Sequence, residues 1–410
     1  MFDPYKLRKD FPMFNNKIKM QGKDLIFFDN ASTTFKPQSV VDAVNFYNTK
    51  ATSNSGRGDY DIMYNVDQMI LETRKNVAKF INSDVNEIVF TSGDTEGMNL
   101  AILGYFANHL NKNDEVLMTY AEHSSNVIPW FKLQKEGKCI VKFIELSKEG
   151  RVTLENIKKA VNKNTKVISI ANVTNVLGFS VDLKEICEFA HKNNILVLCD
   201  GAQSVPHIKT DVKETGVDFL AFSAHKMLGP TGVGVLYGRK ELLDETEPII
   251  YGGGMNETFD KDGNYSLLPV PAKLEPGTHN IEGIFGFNEA IKYINQIGIE
   301  NIEKYEKELR SYAIKELKKV KDIVIYNETA EAAIISFNIK GVFAQDLATL
   351  LNSKGIAVRS GNHCAKILKN QINEIATVRA SFYLYTSKED IDALVEALKE
   401  GGNFLDAYFA

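Results

Sequence analysis

Cysteine is scarce in this chain of 410 residues. The four that occur, Cys139, Cys187, Cys199 and Cys364, never stand as C-x-x-C. That spacing suggests neither a zinc knuckle nor a disulfide framework. Positive charge is not in excess either. Lysine and arginine number 48 against 53 aspartates and glutamates, a net charge of −5, and no basic run stands out. A nucleic-acid partner is therefore not expected. No apolar run reaches membrane-spanning length, because Asp, Glu, Lys or Asn interrupts every one. The first residues, Met1-Phe2-Asp3-Pro4-Tyr5, lack the apolar core of a signal peptide, so the cytoplasm is the expected location. No phosphate-binding Walker loop occurs, and no G-x-G-x-x-G joins a strand to a helix. Internal repeats and low-complexity segments are missing too. What remains is an ordinary globular composition, 44% hydrophobic and 25% charged. Its length makes two domains the prior.

One stretch organises the rest: Phe222-Ser223-Ala224-His225-Lys226-Met227-Leu228-Gly229-Pro230. An apolar run over 217–222 predicts a buried strand. Gly229, Pro230 and Gly232 forbid a helix after it. A lysine at the end of a buried strand is costly unless it is used, and burial makes its amine nucleophilic toward a carbonyl. Taken alone, such a lysine is more often a surface residue just past a strand. A second stretch, Ile195-Leu196-Val197-Leu198-Cys199-Asp200-Gly201-Ala202-Gln203, repeats the design with a carboxylate. Adjacent parallel strands present their carboxyl ends on one edge, where ligands bind. A carboxylate for a pyridinium nitrogen and a lysine for an aldehyde are what pyridoxal phosphate needs. Asp200 by itself could equally be a helix N-cap or a metal ligand.

Other segments fit the same edge. The chain over 3–14 reads as a short helix, 25–32 as a strand and 38–50 as a helix. Arg57 lies in the loop Asn54-Ser55-Gly56-Arg57-Gly58 and could bind an anion or be solvated. Helical spacing covers 64–81. A strand over 87–93 leads into Asp94-Thr95-Glu96-Gly97, a glycine-flanked helix start that could hold a phosphate or be an ordinary cap. A strand over 115–119 leads to Glu122-His123. An imidazole there can stack on a ring and move protons. A strand over 166–171 leads to Asn175, whose amide could donate to a carboxylate. A helix over 183–193 follows. This alternation over 85–240 predicts a mainly parallel α/β sheet. A long irregular stretch over 251–279 follows it. Beyond 281 come helices over 288–297 and 302–319, strands over 323–326, 333–339, 356–359 and 376–382, and helices over 344–354 and 387–400. That pattern predicts a smaller α+β domain, interrupted by Gly361-Asn362-His363-Cys364.

Taken together these segments resemble the class V aminotransferase-like, fold-type I pyridoxal phosphate enzymes. They resemble most closely the SUF-type (group II) cysteine desulfurases. The match spans nearly the whole chain. It rests on Phe28-Asp29-Asn30-Ala31-Ser32, Arg57-Gly58, Thr95-Glu96-Gly97-Met98-Asn99, Glu122-His123, Asn175-Val176-Leu177-Gly178, Asp200-Gly201-Ala202-Gln203, Ser223-Ala224-His225-Lys226, Glu275-Pro276-Gly277-Thr278, Arg359-Ser360-Gly361-Asn362-His363-Cys364 and Arg379-Ala380-Ser381. The resemblance implies a large domain with a mainly parallel, seven-stranded-type sheet flanked by helices over 26–285. It implies a small C-terminal α+β domain over 286–410, against which 1–25 packs. It also implies roles. Lys226 forms the Schiff base with the cofactor and moves the substrate's α-proton. Asp200 pairs with the ring nitrogen, His123 stacks on the ring and Gln203 contacts the phenolic oxygen. Thr95, Ser223 and His225 hold the phosphate, with Thr278 from the other subunit of a homodimer. Arg379 and Asn175 bind the substrate carboxylate, Arg359 lies near the reactive sulfur, and Cys364 is the nucleophile.

The activity so implied turns L-cysteine into L-alanine and leaves a persulfide on Cys364 for iron–sulfur cluster assembly. Arg359 and His363 give Cys364 an electropositive setting, which suits a thiolate nucleophile. The short turn before Cys364 should limit the persulfide's reach. A dedicated sulfur acceptor, SufE-like or SufU-like, and an iron–sulfur scaffold are the expected partners. The chain departs from the family at three places. Asn362 stands where the family usually has His, Asp94 where it has Thr or a small residue, and His279 where it has Pro. Asp94 would bring negative charge near the phosphate. Two other readings share this fold: a selenocysteine lyase, and a catalytically silent scaffold in a sulfur-transfer complex. A general aminotransferase fits less well, since amino-group exchange gives a reactive cysteine no task.

Overall fold

The computed structural model describes residues 2–56 and 58–399. Its centre is a seven-stranded sheet. The strands are β1 (Ile88–Thr91), β2 (Glu115–Thr119), β3 (Ile140–Ile144), β4 (Thr165–Ala171), β5 (Leu196–Asp200), β6 (Phe219–Ser223) and β7 (Gly234–Gly238). Their spatial order is β1-β7-β6-β5-β4-β2-β3. Only β7 runs against its neighbours; all the others are parallel. Such a sheet is covered on both faces, so its strands carry runs of consecutive apolar residues rather than a strict alternation. Along β4, Ile168 and Ile170 join the core on one face, while Val167 joins the core on the other. The helices that cover it include α1 (Asp61–Ile81), α2 (Asp94–Asn99), α3 (Ser124–Lys135), α4 (Leu183–Lys192) and α5 (Ile281–Ile297). Helix α2 runs on as a wider π-turn through Leu100–Phe106. Trp130 on α3 is fully buried, and its indole N–H donates to Ser169 Oγ at 3.0 Å. No described helix is long and apolar enough to cross a membrane.

A second, antiparallel sheet holds β8 (Ile323–Ile325), β9 (Ile334–Ile339), β10 (Arg359–Gly361) and β11 (Thr377–Ser381), in the order β8-β9-β11-β10. Helices α6 (Ile299–Leu317), α7 (Ala344–Ser353) and α8 (Lys388–Lys399) pack on it around a separate core that includes Leu309, Phe337, Leu351 and Leu394. Glu400, the last residue of the predicted terminal helix, lies outside the described residues.

Three elements differ from the sequence reading. The predicted helix over 3–14 is two short helices, Pro4–Arg8 and Pro12–Asn15. Phe11 between them is extended, as the residue before a proline tends to be. Of the predicted strand over 25–32, Ile26–Phe27 pairs in parallel with Ile356–Ala357 as a separate two-stranded sheet, and Asp29 adds a single bridge to Ser381. Residues 28–31 turn instead onto the end of β11. Ser381 N donates to Phe28 O at 2.7 Å, and Asn30 Nδ2 donates to Ser381 O at 2.7 Å. The irregular stretch over 251–279 contains a small hairpin, Asn256–Phe259 with Tyr265–Leu267. Strands β3 and β7 escaped the sequence reading. Lys142 breaks the first, which is an edge strand, and glycines bound the second.

Candidate active site

Lys226 is placed by a turn with no freedom in it. Residues Ala224–Lys226 form a single 3₁₀ turn directly after β6. A Cβ on Gly229 would come within 2.9 Å of Ala224's Cβ, so nothing larger fits there. The His225 carbonyl accepts from Thr34 N at 3.0 Å, Thr34 Oγ1 at 3.1 Å and Thr33 Oγ1 at 3.2 Å. Leu228, with φ +66°, donates its N–H to Thr34 Oγ1 at 2.9 Å. Met227 and Leu228 are wholly buried and pin the far side. Burial pushes the Lys226 amine below the usual lysine range, against the pull of Asp200 and Asp94. A lowered pKa favours the neutral, nucleophilic amine.

Strands β5 and β6 are parallel neighbours, with Asp200 opposite Ala221. Both therefore end on the edge that carries Lys226. Asp200 is 4% exposed and accepts from Ala202 N at 2.9 Å. Gln203 is buried, and its amide donates to Ala31 O at 2.7 Å. His123 caps α3: its Nδ1 accepts from Ser125 N at 3.2 Å, which puts the ring proton on Nε2. Burial lowers its pKa, with Asp200 opposing, so the ring is neutral. A hydroxyl chain runs from His123 Nδ1 to Ser125 Oγ at 3.0 Å and on to Thr95 Oγ1 at 2.7 Å. Ser223 Oγ accepts from Asp94 N at 2.7 Å, which keeps its own proton free to donate. Burial, then Lys226 and Lys36, hold His225 down at about 4, so it too is neutral.

The cysteine loop comes from the second sheet. His363 and Cys364 both have left-handed backbones, φ +51° and +59°. Each such non-glycine residue stores strain on the order of 1 kcal/mol or more. Hydrogen bonds from the first sheet's loops hold the pair. Ser124 N and Ser124 Oγ donate to Cys364 O at 2.8 and 2.7 Å, and Asn175 Nδ2 donates to His363 O at 2.7 Å. The exposed Cys364 thereby sits beside the N-terminus of α3, one residue from His123. His363 does not give the thiol the cation expected from sequence. Burial and Arg379 push its ring down to about 3, and it points away, at Thr377 O and Oγ1, both at 3.0 Å. The positive charge acting on Cys364 is that of Arg379.

Thr278, expected to act from the other subunit, stands apart from this chain's own crevice. It lines a separate cavity of about 200 Å³ with Phe90, Ser92 and Glu275. Arg57 lies outside the described residues. Several neighbours that matter were given no role from the sequence: Ser124, Ser125, Asp29 and Ser32. The first two follow His123 at a helix start, and that Ser-Ser pair is a readable cap signal. Asp29 and Ser32 meet the arginines only through long-range folding.

Asp94 Oδ1, Asn175 Oδ1, His363 Nδ1 and Arg379 Nε are buried with no hydrogen-bond partner. Buried polar atoms are rarely left so. Asp94 acts electrostatically on Lys226, and Arg379 acts on both Lys226 and His123. Three of the four open atoms therefore belong with the lysine crevice: Asp94 and Arg379 directly, and Asn175 as Arg379's neighbour. A carboxylate-bearing substrate suits the open Arg379 Nε, a donor, whereas Asn175 Nδ2 is already spent on His363 O and leaves only an acceptor open. A planar group with a ring nitrogen, an aldehyde and a phosphate suits Asp200, Lys226 and the Ser223 hydroxyl, whose proton is unspent.

Comparison with known proteins agrees with this arrangement. The profile of the family Aminotransferase class-V matches residues 26–394. A probable cysteine desulfurase of Halalkalibacterium halodurans is 39% identical over 408 residues, which is 99% of either chain. One from Ureaplasma parvum is 41% identical over 395 residues, covering 95% of this chain and 96% of that one. Among solved structures, a cysteine desulfurase of Thermococcus onnurineus superimposes with a TM-score of 0.92 at 35% identity, over 98% of both chains. The cysteine desulfurase CsdA of Escherichia coli does so with a TM-score of 0.90 at 31% identity, over 99% of both. With the lysine crevice, the profile match and full-length relatives this alike, the chain belongs to the class-V aminotransferase family, whose enzymes are of fold-type I and work with pyridoxal 5′-phosphate.

Proposed function

We propose that this protein is a pyridoxal phosphate-dependent cysteine desulfurase. It converts L-cysteine to L-alanine, leaves a persulfide on Cys364 and passes that sulfur to an acceptor protein for iron–sulfur cluster assembly. The observation that carries the reading is the docking of the Cys364 carbonyl on Ser124 N and Oγ, which fixes a thiol beside His123 and the arginine pair. A thiol has no task in amino-group exchange but is required to take up sulfur.

The cofactor, when bound, supplies an electron sink next to the substrate's α-carbon. Asp200 would hold its ring nitrogen, His123 would lie against the ring, Gln203 would meet the phenolic oxygen, and Thr95, Ser223 and His225 would hold the phosphate. Lys226 would bind the aldehyde and would serve as the base that moves the substrate's α-proton. Arg379 Nε binds the substrate's carboxylate, Asn175 holds the Arg379 fork through its backbone carbonyl, and Arg359 guides the substrate sulfur. The Cys364 thiolate attacks the substrate sulfur. The substrate's S–Cβ bond breaks, its electron pair goes to carbon, and a proton completes alanine.

The protein works as a homodimer in the cytoplasm, with Thr278 of each chain completing the site of the other. The cofactor-binding domain runs from residue 26 through α5, past the boundary at 285 expected from the sequence, and the domain that brings Cys364 follows α5. The tight cysteine turn favours a dedicated, SUF-type acceptor. The test uses Cys364→Ser. The variant should keep its yellow colour and bind cofactor, yet form no alanine from L-cysteine. Mass spectrometry should find added sulfur on the wild-type peptide alone. Undiminished alanine formation by Cys364→Ser would reject the reading.

A further inference from the structure

Asp94 opens α2 from the depth of the crevice. It is 5% exposed. Its backbone N–H is used on Ser223 Oγ, and its carboxyl oxygen Oδ1 is buried with no partner. The surroundings are rigid. A Cβ on Gly93 would press on Ser223 Oγ at 3.3 Å, and one on Gly97 would meet Ala221's Cβ at 3.0 Å. The carboxyl therefore cannot swing out to solvent without moving the helix start. The charged groups that act on it are Asp200 from β5 and Lys226 from the turn after β6. Glu96 on its own helix is engaged with Ser92 N at 2.6 Å. The facing residues of β7, Gly234 and Val235, carry no charge.

An ionised Asp94 would stand beside Asp200 and a phosphate dianion, with Lys226 committed to the aldehyde. Like charges so placed cannot both ionise cheaply, and one carboxyl then keeps its proton. Burial and Asp200 push Asp94 in that direction, well above the usual carboxylate range. A protonated carboxyl has what a phosphate oxygen needs, an O–H donor in a dry site.

We propose that Asp94 presents a protonated carboxyl to the cofactor's phosphate and donates a hydrogen bond to it, so that this protein holds its cofactor less tightly as the pH rises and the carboxyl ionises. The inference rests on the phosphate position given under the proposed function. Asp94 thus becomes a pH-sensitive clamp on the cofactor.

The test titrates cofactor-free protein with pyridoxine 5′-phosphate, which has no aldehyde and so reports the phosphate and ring contacts without Lys226 chemistry. Binding is read by intrinsic fluorescence from neutral to alkaline pH, a range in which the phosphate keeps its charge, its second pKa being about 6. Wild-type affinity should fall by about tenfold, the worth of one charge-assisted hydrogen bond. Asp94→Asn keeps a donor of the same shape that cannot ionise, and Asp94→Thr restores a hydroxyl; both should hold their affinity across the range. Parallel losses in wild type and Asp94→Asn would overturn the proposal. So would a uniform gain in Asp94→Asn, which would mean an ionised carboxyl throughout. Ser223→Ala separates the two levels: if it leaves the affinity unchanged, the phosphate lies elsewhere and the site assignment itself fails.

Discussion

Arg359 and Arg379 stand directly opposite one another on β10 and β11, and both guanidinium groups donate to one hydroxyl, Ser32 Oγ, at 2.7 and 2.8 Å. Like charges paired across strands are destabilising. Asp29 offsets part of this: its Oδ1 takes Arg379 Nη2 at 3.1 Å and Ser32 Oγ at 2.7 Å. Arg379 spends its remaining terminal nitrogen on Asn175 O at 2.9 Å. Its Nε is left buried and open. Two cations beside one carboxylate form a place that still wants an anion.

Replacing Arg379 by lysine should therefore weaken substrate binding. The lysine keeps a charge but loses the planar fork. Loss of a charged hydrogen bond of about 1.5–3 kcal/mol predicts a fall in kcat/KM of about 10- to 100-fold, mostly as a higher KM. Steady-state kinetics with L-cysteine checks this. An unchanged KM would remove Arg379 from substrate binding.

Ser124 is the latch of the cysteine loop. Ser124→Ala removes one of the two hydrogen bonds on Cys364 O while leaving the backbone one. With the strained turn less well held, persulfide formation should slow by about fivefold to tenfold, from roughly 1 kcal/mol of lost positioning. Cofactor colour and thermal stability should barely change. Rapid-mixing measurement of alanine release in a single turnover gives the rate. A wild-type rate would show that the loop stands without the latch.

Acid should destabilise the fold partly through His363. In the native state its ring titrates at about 3 rather than 6.5. Below pH 6.5 the unfolded chain binds a proton that the folded chain refuses, so stability drops as pH falls toward 3. His363→Gln keeps an amide donor for Thr377 and removes this proton linkage. The stability advantage of wild type over the variant should shrink steadily as pH falls through this window. Urea midpoints taken at a series of pH values measure it. A constant gap would show that His363 is not the group responsible.

Much of the chemistry was open to view before folding. Lys226 and Asp200 each close an apolar run, and period and length alone marked those runs as buried strands with sheet-edge ends. His123 and Asp94 could be placed at helix starts for the same reason. The fold class followed from the alternation over 85–240, although β3 and β7 were too charged or too short to stand out. Cys364 drew notice only through its neighbours, and its supposed cationic partner His363 proved to be a buried neutral ring facing Thr377. No local pattern predicts that a histidine turns inward, because the choice depends on what β11 offers it.

The sequence by itself determined the strands, their polar ends and hence the inventory of reactive groups, since burial period and terminal residue type are local properties of the chain. Only the tertiary structure decided how those groups are combined. Ser32 meets two arginines more than 300 positions away, Ser124 takes hold of the Cys364 carbonyl, and Asp94 is left with an empty oxygen. The first two are set by one sheet's loops closing over the other, and the third by neighbouring strand ends of the first sheet. That closure is fixed by the packing of whole elements, which no short window of residues can encode.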